Sequence, residues 1–160
     1  MFKIKIAVFP GNFDPINNGQ LDIIKKASKI FDKLIVLVVK DKLKKSLFPV
    51  ENRLKFIKMT TLNIKNVEVD FWPKLLSEYI SLCGACTIVR GLKNSSQLTS
   101  EINFKIFNET ANENVGTIFL LPNPKNIYIN STIVKKLCLL KKNLGSVVPK
   151  SIEEEIKNEV

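Results

Sequence analysis

Five short apolar runs, each followed by a stretch of helical spacing, constrain this chain more than any other feature. "IKIAVF" (4–9), "LIVLVV" (34–39), "VEVDF" (67–71), "TIVR" (87–90) and "TIFLL" (117–121) have the length and the β-branched character of strands. Between the first two, Leu21, Ile24, Ala27 and Phe31 recur at helical intervals, while Lys25, Lys26 and Lys29 fall toward water. Further helices are predicted over 50–60, 75–83, 98–112 and 132–140. A last helix is expected from Ser151, where Ser151 and Glu154 have capping-box spacing just after Pro149. Strand, helix, strand at this rhythm implies right-handed crossovers and a parallel sheet covered on both faces. The fold class is therefore α/β, a doubly wound five-stranded parallel sheet, expected as one domain over residues 1–160. In such sheets ligands bind beyond the carboxyl ends of the strands, where the strand order reverses.

Composition narrows the function. No apolar run approaches the roughly 20 residues of a membrane span, and "MFKIKIAVFPG" has too short an apolar segment for a signal peptide. The chain is expected to be cytoplasmic, without a membrane partner. The net charge of +10 comes from lysines scattered along the sequence rather than gathered in blocks, which favours small anionic substrates over nucleic acid. Histidine is absent, and this excludes His-based triads, His metal sites and histidine general bases. Of 25 basic residues only Arg53 and Arg90 are arginines, so each marks a place where a planar fork could matter. Cys83 and Cys86 form a C-x-x-C that closes a helix instead of opening one, and Cys138 stands alone. With no second pair they are read as packing thiols, and no protein metal site is expected.

The strand-end loops carry the chemistry. "PGNFDPINNGQ" follows the first strand; Gly11 suits a tight turn, and Gly19 precedes a helix whose free N–H groups can receive phosphate. Lys44 and Lys45 follow the second strand and "RGLKNSSQLTSE" the fourth. After the fifth, Asn130, Ser131 and Thr132 stand where a helix begins, able both to cap it and to meet phosphate oxygens.

Taken in order, "AVFPGNFDPINNGQLDIIKKASKIFDKLIV", "KKSLFPVENRL", "NVEVDFWPKLLSEYI", "TIVRGLKN" and "INSTIVKKL" resemble the phosphopantetheine adenylyltransferases of bacterial coenzyme A biosynthesis, over about residues 4–155. The resemblance implies a Rossmann-like nucleotidyltransferase fold and a reaction in which 4′-phosphopantetheine takes AMP from ATP, giving dephospho-coenzyme A and pyrophosphate. It also implies Mg²⁺ carried by ATP, a homohexamer, and ATP, phosphopantetheine and coenzyme A as ligands. Its catalytic residues here would be Gln20, Lys44 and Arg90. The ATP side would be formed by Asn12, Phe13, Gln20, Gly91, Leu92, Lys93, Glu101, Asn126, Asn130, Ser131 and Thr132. The acceptor side would take Asn12, Lys44, Leu75, Leu76, Arg90 and Asn108.

Several positions depart from the family's pattern. Asn12 stands where the family has Ser or Thr, and Gln20 where it has the histidine that donates to the α-phosphate. Lys93, Gln97, Ser100, Asn126, Asn130 and Leu139 also replace the usual residue types. Glutamine donates through its amide but is neutral; loss of a charge-assisted donor costs roughly 10²–10³ in rate. Three readings fit these residues: a working phosphopantetheine adenylyltransferase, a degenerate relative that binds nucleotide or coenzyme A without turnover, and a sister nucleotidyltransferase for another small phosphate.

Overall fold

The computed structural model describes residues 4–39 and 45–160. Five parallel strands, β1 (Ile6–Gly11), β2 (Lys33–Val39), β3 (Val67–Trp72), β4 (Thr87–Gly91) and β5 (Gly116–Leu120), form a single sheet in the order β3-β2-β1-β4-β5. Six helices connect or follow them: α1 (Asn18–Ala27), α2 (Val50–Thr61), α3 (Leu76–Cys83), α4 (Leu98–Ala111), α5 (Ser131–Leu139) and α6 (Lys150–Glu159). Every predicted strand is present, most with bounds shifted by one or two residues. Phe31 lies beyond the end of α1 but is still buried, so its spacing reported the core correctly and the helix length incorrectly.

Alternation along the central strands sorts the side chains into two cores. Ala7, Phe9, Leu34, Val36, Val38 and Val89 point to one face and pack with Ile24 of α1, Phe56 and Ile57 of α2, Val134 of α5 and Ile152 and Ile156 of α6. Val8, Ile35, Leu37 and Ile88 point to the other face, where Tyr79 and Ile80 of α3 cover them with Phe104 of α4 at the margin. Both faces of β1 and β2 are thus apolar, as a doubly covered parallel sheet requires. Cys83, Cys86 and Cys138 are free thiols. Burial raises the Cys83 thiol and pushes Cys138 up to about 11, so both remain protonated at neutral pH.

The strand order reverses between β1 and β4. These strands pair at Ala7↔Thr87 and Val8↔Ile88, and beyond that point they are no longer paired, whereas β1 continues beside β2 as far as Gly11↔Val38. Pro10, with no N–H to give a ladder, falls in the separated stretch. The chain leaving β1 then turns sharply: Phe13 takes a φ of 46°, in the left-handed region, and the Asp14–Pro15 peptide is cis. Phe13 is buried edge-on against Phe9, and a Cβ on Gly11 would stand 2.9 Å from the Phe13 ring, so glycine is required at position 11 by close approach.

This turn is held by one carboxylate. Asp14 is 2% exposed and accepts the backbone N–H groups of Leu47 and Phe48 at 2.7 and 2.8 Å and the Lys135 ammonium at 2.7 Å. It ties the β1 loop to the approach to α2 and to α5. The helix beginnings differ from the sequence expectation. Ser151 does not cap α6; Pro149 occupies the cap, the helix starts at Lys150, and no side chain accepts there. A capping box exists instead at α1: Asn17 Oδ1 accepts the Gln20 N–H at 3.0 Å, and Gln20 Oε1 accepts the Asn17 N–H at 3.1 Å. Glutamine serves at this third helical position as well as glutamate does.

Two stability outcomes follow. Asp14→Ala leaves two amides unpartnered and the Lys135 ammonium with only the Lys45 carbonyl at 3.4 Å, and should lower unfolding stability by roughly 3–5 kcal/mol, seen as a lower urea midpoint. Asn17→Ala should cost about 1 kcal/mol through the lost cap, whereas Ser151→Ala should leave the midpoint unchanged.

Candidate active site

Where β1 and β4 separate, a cavity of about 270 Å³ opens at their carboxyl ends. Its floor is Phe9, Pro10 and Gly11 from β1 with Arg90 and Gly91 from β4; Gly19, Gln20 and Ile23 of α1 form one wall, and Lys93, Gln97, Glu101, Pro122 and Ser131 the rim. The position is the one expected from the topology.

Backbone donors converge on it. The Asn18 N–H is satisfied by the Val147 carbonyl at 2.9 Å and the Gln20 N–H by Asn17, but the Gly19 N–H has no protein acceptor among the described residues. At α5 the Asn130 side chain caps the helix by accepting the Ile133 N–H at 2.9 Å, leaving the exposed Ser131 at its tip. Two helix N-termini with free donors therefore meet at one strand-end crevice, a favourable setting for phosphate.

The charged groups are arranged less simply. Arg90 spends its fork on protein: Nε and Nη2 donate to Glu101 at 2.7 and 2.9 Å, and Nη1 donates to the Pro10 carbonyl at 3.0 Å. Its guanidinium also lies over the Phe104 ring at 4.3 Å. Arg90 thus braces β4 against both β1 and α4, and Glu101, expected on the ATP side, is its partner. Lys93 donates its ammonium to the Ile129 carbonyl, closing the rim between β4 and α5. Burial lowers the Lys93 pKa from the ordinary lysine value, as desolvation disfavours a cation.

Eight of the expected residues come together at this cavity: Asn12, Phe13, Gln20, Arg90, Gly91, Lys93, Glu101 and Ser131. Others stand apart. Asn126 is buried, and its amide donates to Asp22 at 2.7 Å; Asp22 also accepts the Asn123 backbone and side-chain amides, both at 2.9 Å. Asn126 therefore builds the loop after β5 rather than lining the cavity. Asn108, expected on the acceptor side, is buried and donates to the Phe104 carbonyl at 2.8 Å. Leu75 is exposed before α3, where its carbonyl accepts from the Trp72 indole, and Leu76 packs at the edge of the second core. Leu92, Asn130 and Thr132 flank the cavity without lining it. Lys44 lies outside the described residues.

Sequence reasoning left Arg53 without a role. It is 3% exposed beneath the β1 loop, and Nη1 donates to the Asn12 carbonyl at 2.9 Å and to Asn12 Oδ1 at 2.7 Å. Burial lowers its pKa, opposed by the Asp14 and Glu51 carboxylates; a guanidinium stays protonated in any such setting. Asn17 was likewise unassigned. The scarcity of arginine was the available signal for Arg53, and the N-x-x-Q spacing was the signal for Asn17.

The chain's resemblances agree with this geometry. The cytidylyltransferase-like family profile matches residues 8–137. A phosphopantetheine adenylyltransferase from Syntrophomonas wolfei is 38% identical over 160 residues, covering 98% of this chain and 99% of its own length. Another, from Caldanaerobacter subterraneus, is 37% identical and covers 96% of each chain. Among solved structures, a candidate nicotinate-nucleotide adenylyltransferase from Vibrio parahaemolyticus superposes with a TM-score of 0.71 at 17% identity, over 98% of this chain and 100% of its own, a likeness of fold. With sequence likeness over nearly its full length and a crevice placed as the fold demands, the chain belongs to the cytidylyltransferase-like family and, within it, to the phosphopantetheine adenylyltransferases.

Proposed function

We propose that this protein transfers AMP from ATP to 4′-phosphopantetheine, releasing pyrophosphate and dephospho-coenzyme A. The observation that carries this reading is the convergence of Gly19, Gln20, Lys93 and Ser131, from three separate strand-end loops, on one crevice at the reversal of strand order. A phosphate oxygen of the acceptor attacks the α-phosphorus, a new P–O bond forms, and the bond to the bridging oxygen of the β-phosphate breaks. No enzyme nucleophile takes part, so the protein's work is alignment and charge stabilisation.

Each group has a role that its chemistry allows. Gln20 donates its amide to the α-phosphate, the Gly19 N–H and the positive end of α1 attract the same region, and Ser131 at the tip of α5 meets the outer phosphates. Lys93 adds a cation at the rim, and Lys44 belongs to the same proposal as the group that meets the acceptor phosphate. Arg90 keeps the crevice in shape while Glu101 offsets its charge. Mg²⁺ would travel on the triphosphate of ATP: the carboxylate that lines the cavity, Glu101, is already engaged by Arg90.

Assembly as a homohexamer and a cytoplasmic location belong to the same proposal. No helix among the described residues is long and apolar enough to cross a membrane. Leu98, Ile102 and Ile106 recur at four-residue intervals on α4 and are exposed, which supports self-association through that helix.

Pyrophosphate release from ATP should require both phosphopantetheine and Mg²⁺; a purified sample that binds both substrates and releases none would overturn the reading in favour of a non-catalytic relative. Gln20→Ala should lower kcat by roughly 10²–10³, with a much smaller change in the KM for phosphopantetheine.

A further inference from the structure

Four side-chain amides line the crevice, those of Asn12, Asn17, Gln20 and Gln97, and two of them, Asn12 and Gln20, sit where the family resemblance places phosphate-binding groups; both have fixed orientations. An amide can present either its oxygen or its NH₂ group to a ligand, and the choice is set by what the protein takes from it. Here the protein takes oxygen from both. Asn12 Oδ1 accepts from Arg53 Nη1 at 2.7 Å, and Gln20 Oε1 accepts from the Asn17 backbone N–H at 3.1 Å. A guanidinium and a backbone N–H can only donate, so neither amide can be turned over without facing donor with donor. Neither Asn12 Nδ2 nor Gln20 Nε2 donates to any described residue, and both residues line the cavity.

Resting on the adenylyltransferase reading, we propose that Arg53 is a positioning residue which, together with the α1 capping box, turns the Asn12 and Gln20 amides so that their NH₂ groups form a matched pair of neutral donors for the triphosphate. The pair occupies the positions at which the family resemblance places a hydroxyl and a histidine. An unheld amide would sample both orientations and present an oxygen to an anion part of the time. A held one presents hydrogen throughout and has nothing to reorganise when phosphate arrives. Arg53 is well suited to the task. It is buried, and its Nη1 grips both the backbone and the side chain of Asn12.

The proposal is tested by following the side-chain NH₂ resonances of Asn12 and Gln20 in ¹⁵N-labelled protein during titration with inorganic tripolyphosphate, alongside the backbone amide of Gly19. Both NH₂ pairs should shift together with Gly19. If Gly19 responds while either NH₂ pair stays still, or if tripolyphosphate produces no response at all, the donor pair is overturned. For the positioning role, Arg53→Lys should weaken tripolyphosphate binding by about tenfold, the scale of one charge-assisted hydrogen bond. That loss should disappear when Asn12 is first changed to Ser; an equal loss on both backgrounds would reduce Arg53 to a structural residue. The result separates from the functional reading. Responding NH₂ groups in a protein with no phosphopantetheine-dependent turnover would remove the reaction and keep the donors, and the converse would keep the reaction.

Discussion

A single buried carboxylate holds the working end of this sheet together. Asp14 stands where the chain leaves β1, and its two oxygens receive amides from the approach to α2 and the ammonium of Lys135 on α5. Burying a carboxylate is costly unless every lone pair is used. Here that cost becomes a constraint: the three segments must sit where they do for the charge to be satisfied. The left-handed Phe13 and the close approach of Gly11 to its ring are tolerated because this clamp over-determines the turn. Everything that faces the crevice from β1 inherits its position from that clamp.

Among the described residues, the site uses positive charge sparingly for so basic a protein. Arg90 is neutralised by Glu101, Arg53 is buried beneath the loop near Asp14, and Lys93 is bound to a carbonyl. Among the described residues, the rest of the polar lining is neutral: a free backbone N–H, four side-chain amides and a serine. Such donors are individually weaker than cations, but they are fixed before the ligand arrives. Donors fixed in advance need no reorganisation when charge develops on the ligand. Of the lysines among the described residues, Lys93 alone lines the cavity.

The sheet, its parallel sense and the place of the crevice were legible in the sequence, because apolar runs of strand length can be told from helical spacing and because strand-order rules then fix where ligands go. The roles of individual polar residues were less legible. Asn126 and Asn108 are ordinary asparagines in the sequence, and only tertiary contact shows that one satisfies Asp22 and the other its own helix. Arg90 was expected to hold phosphate, but its fork is taken by Pro10 and by Glu101, which lies eleven residues away on α4, beyond the reach of any spacing rule. The capping boxes show the same limit from the other side. Ser151 and Glu154 had the right spacing without the structure, and Asn17 and Gln20 had the structure without being noticed. In both cases the backbone path entering the helix decided the outcome.

The brief pairing of β1 with β4 has a mechanical consequence. Two residue pairs join a panel of three strands to a panel of two, so the sheet carries a seam along its middle, and the crevice is that seam's open end. Strain applied to either panel would concentrate there rather than spread evenly. The Arg90 contact with the Pro10 carbonyl is a stitch across that gap, joining the two panels where their own pairing has stopped.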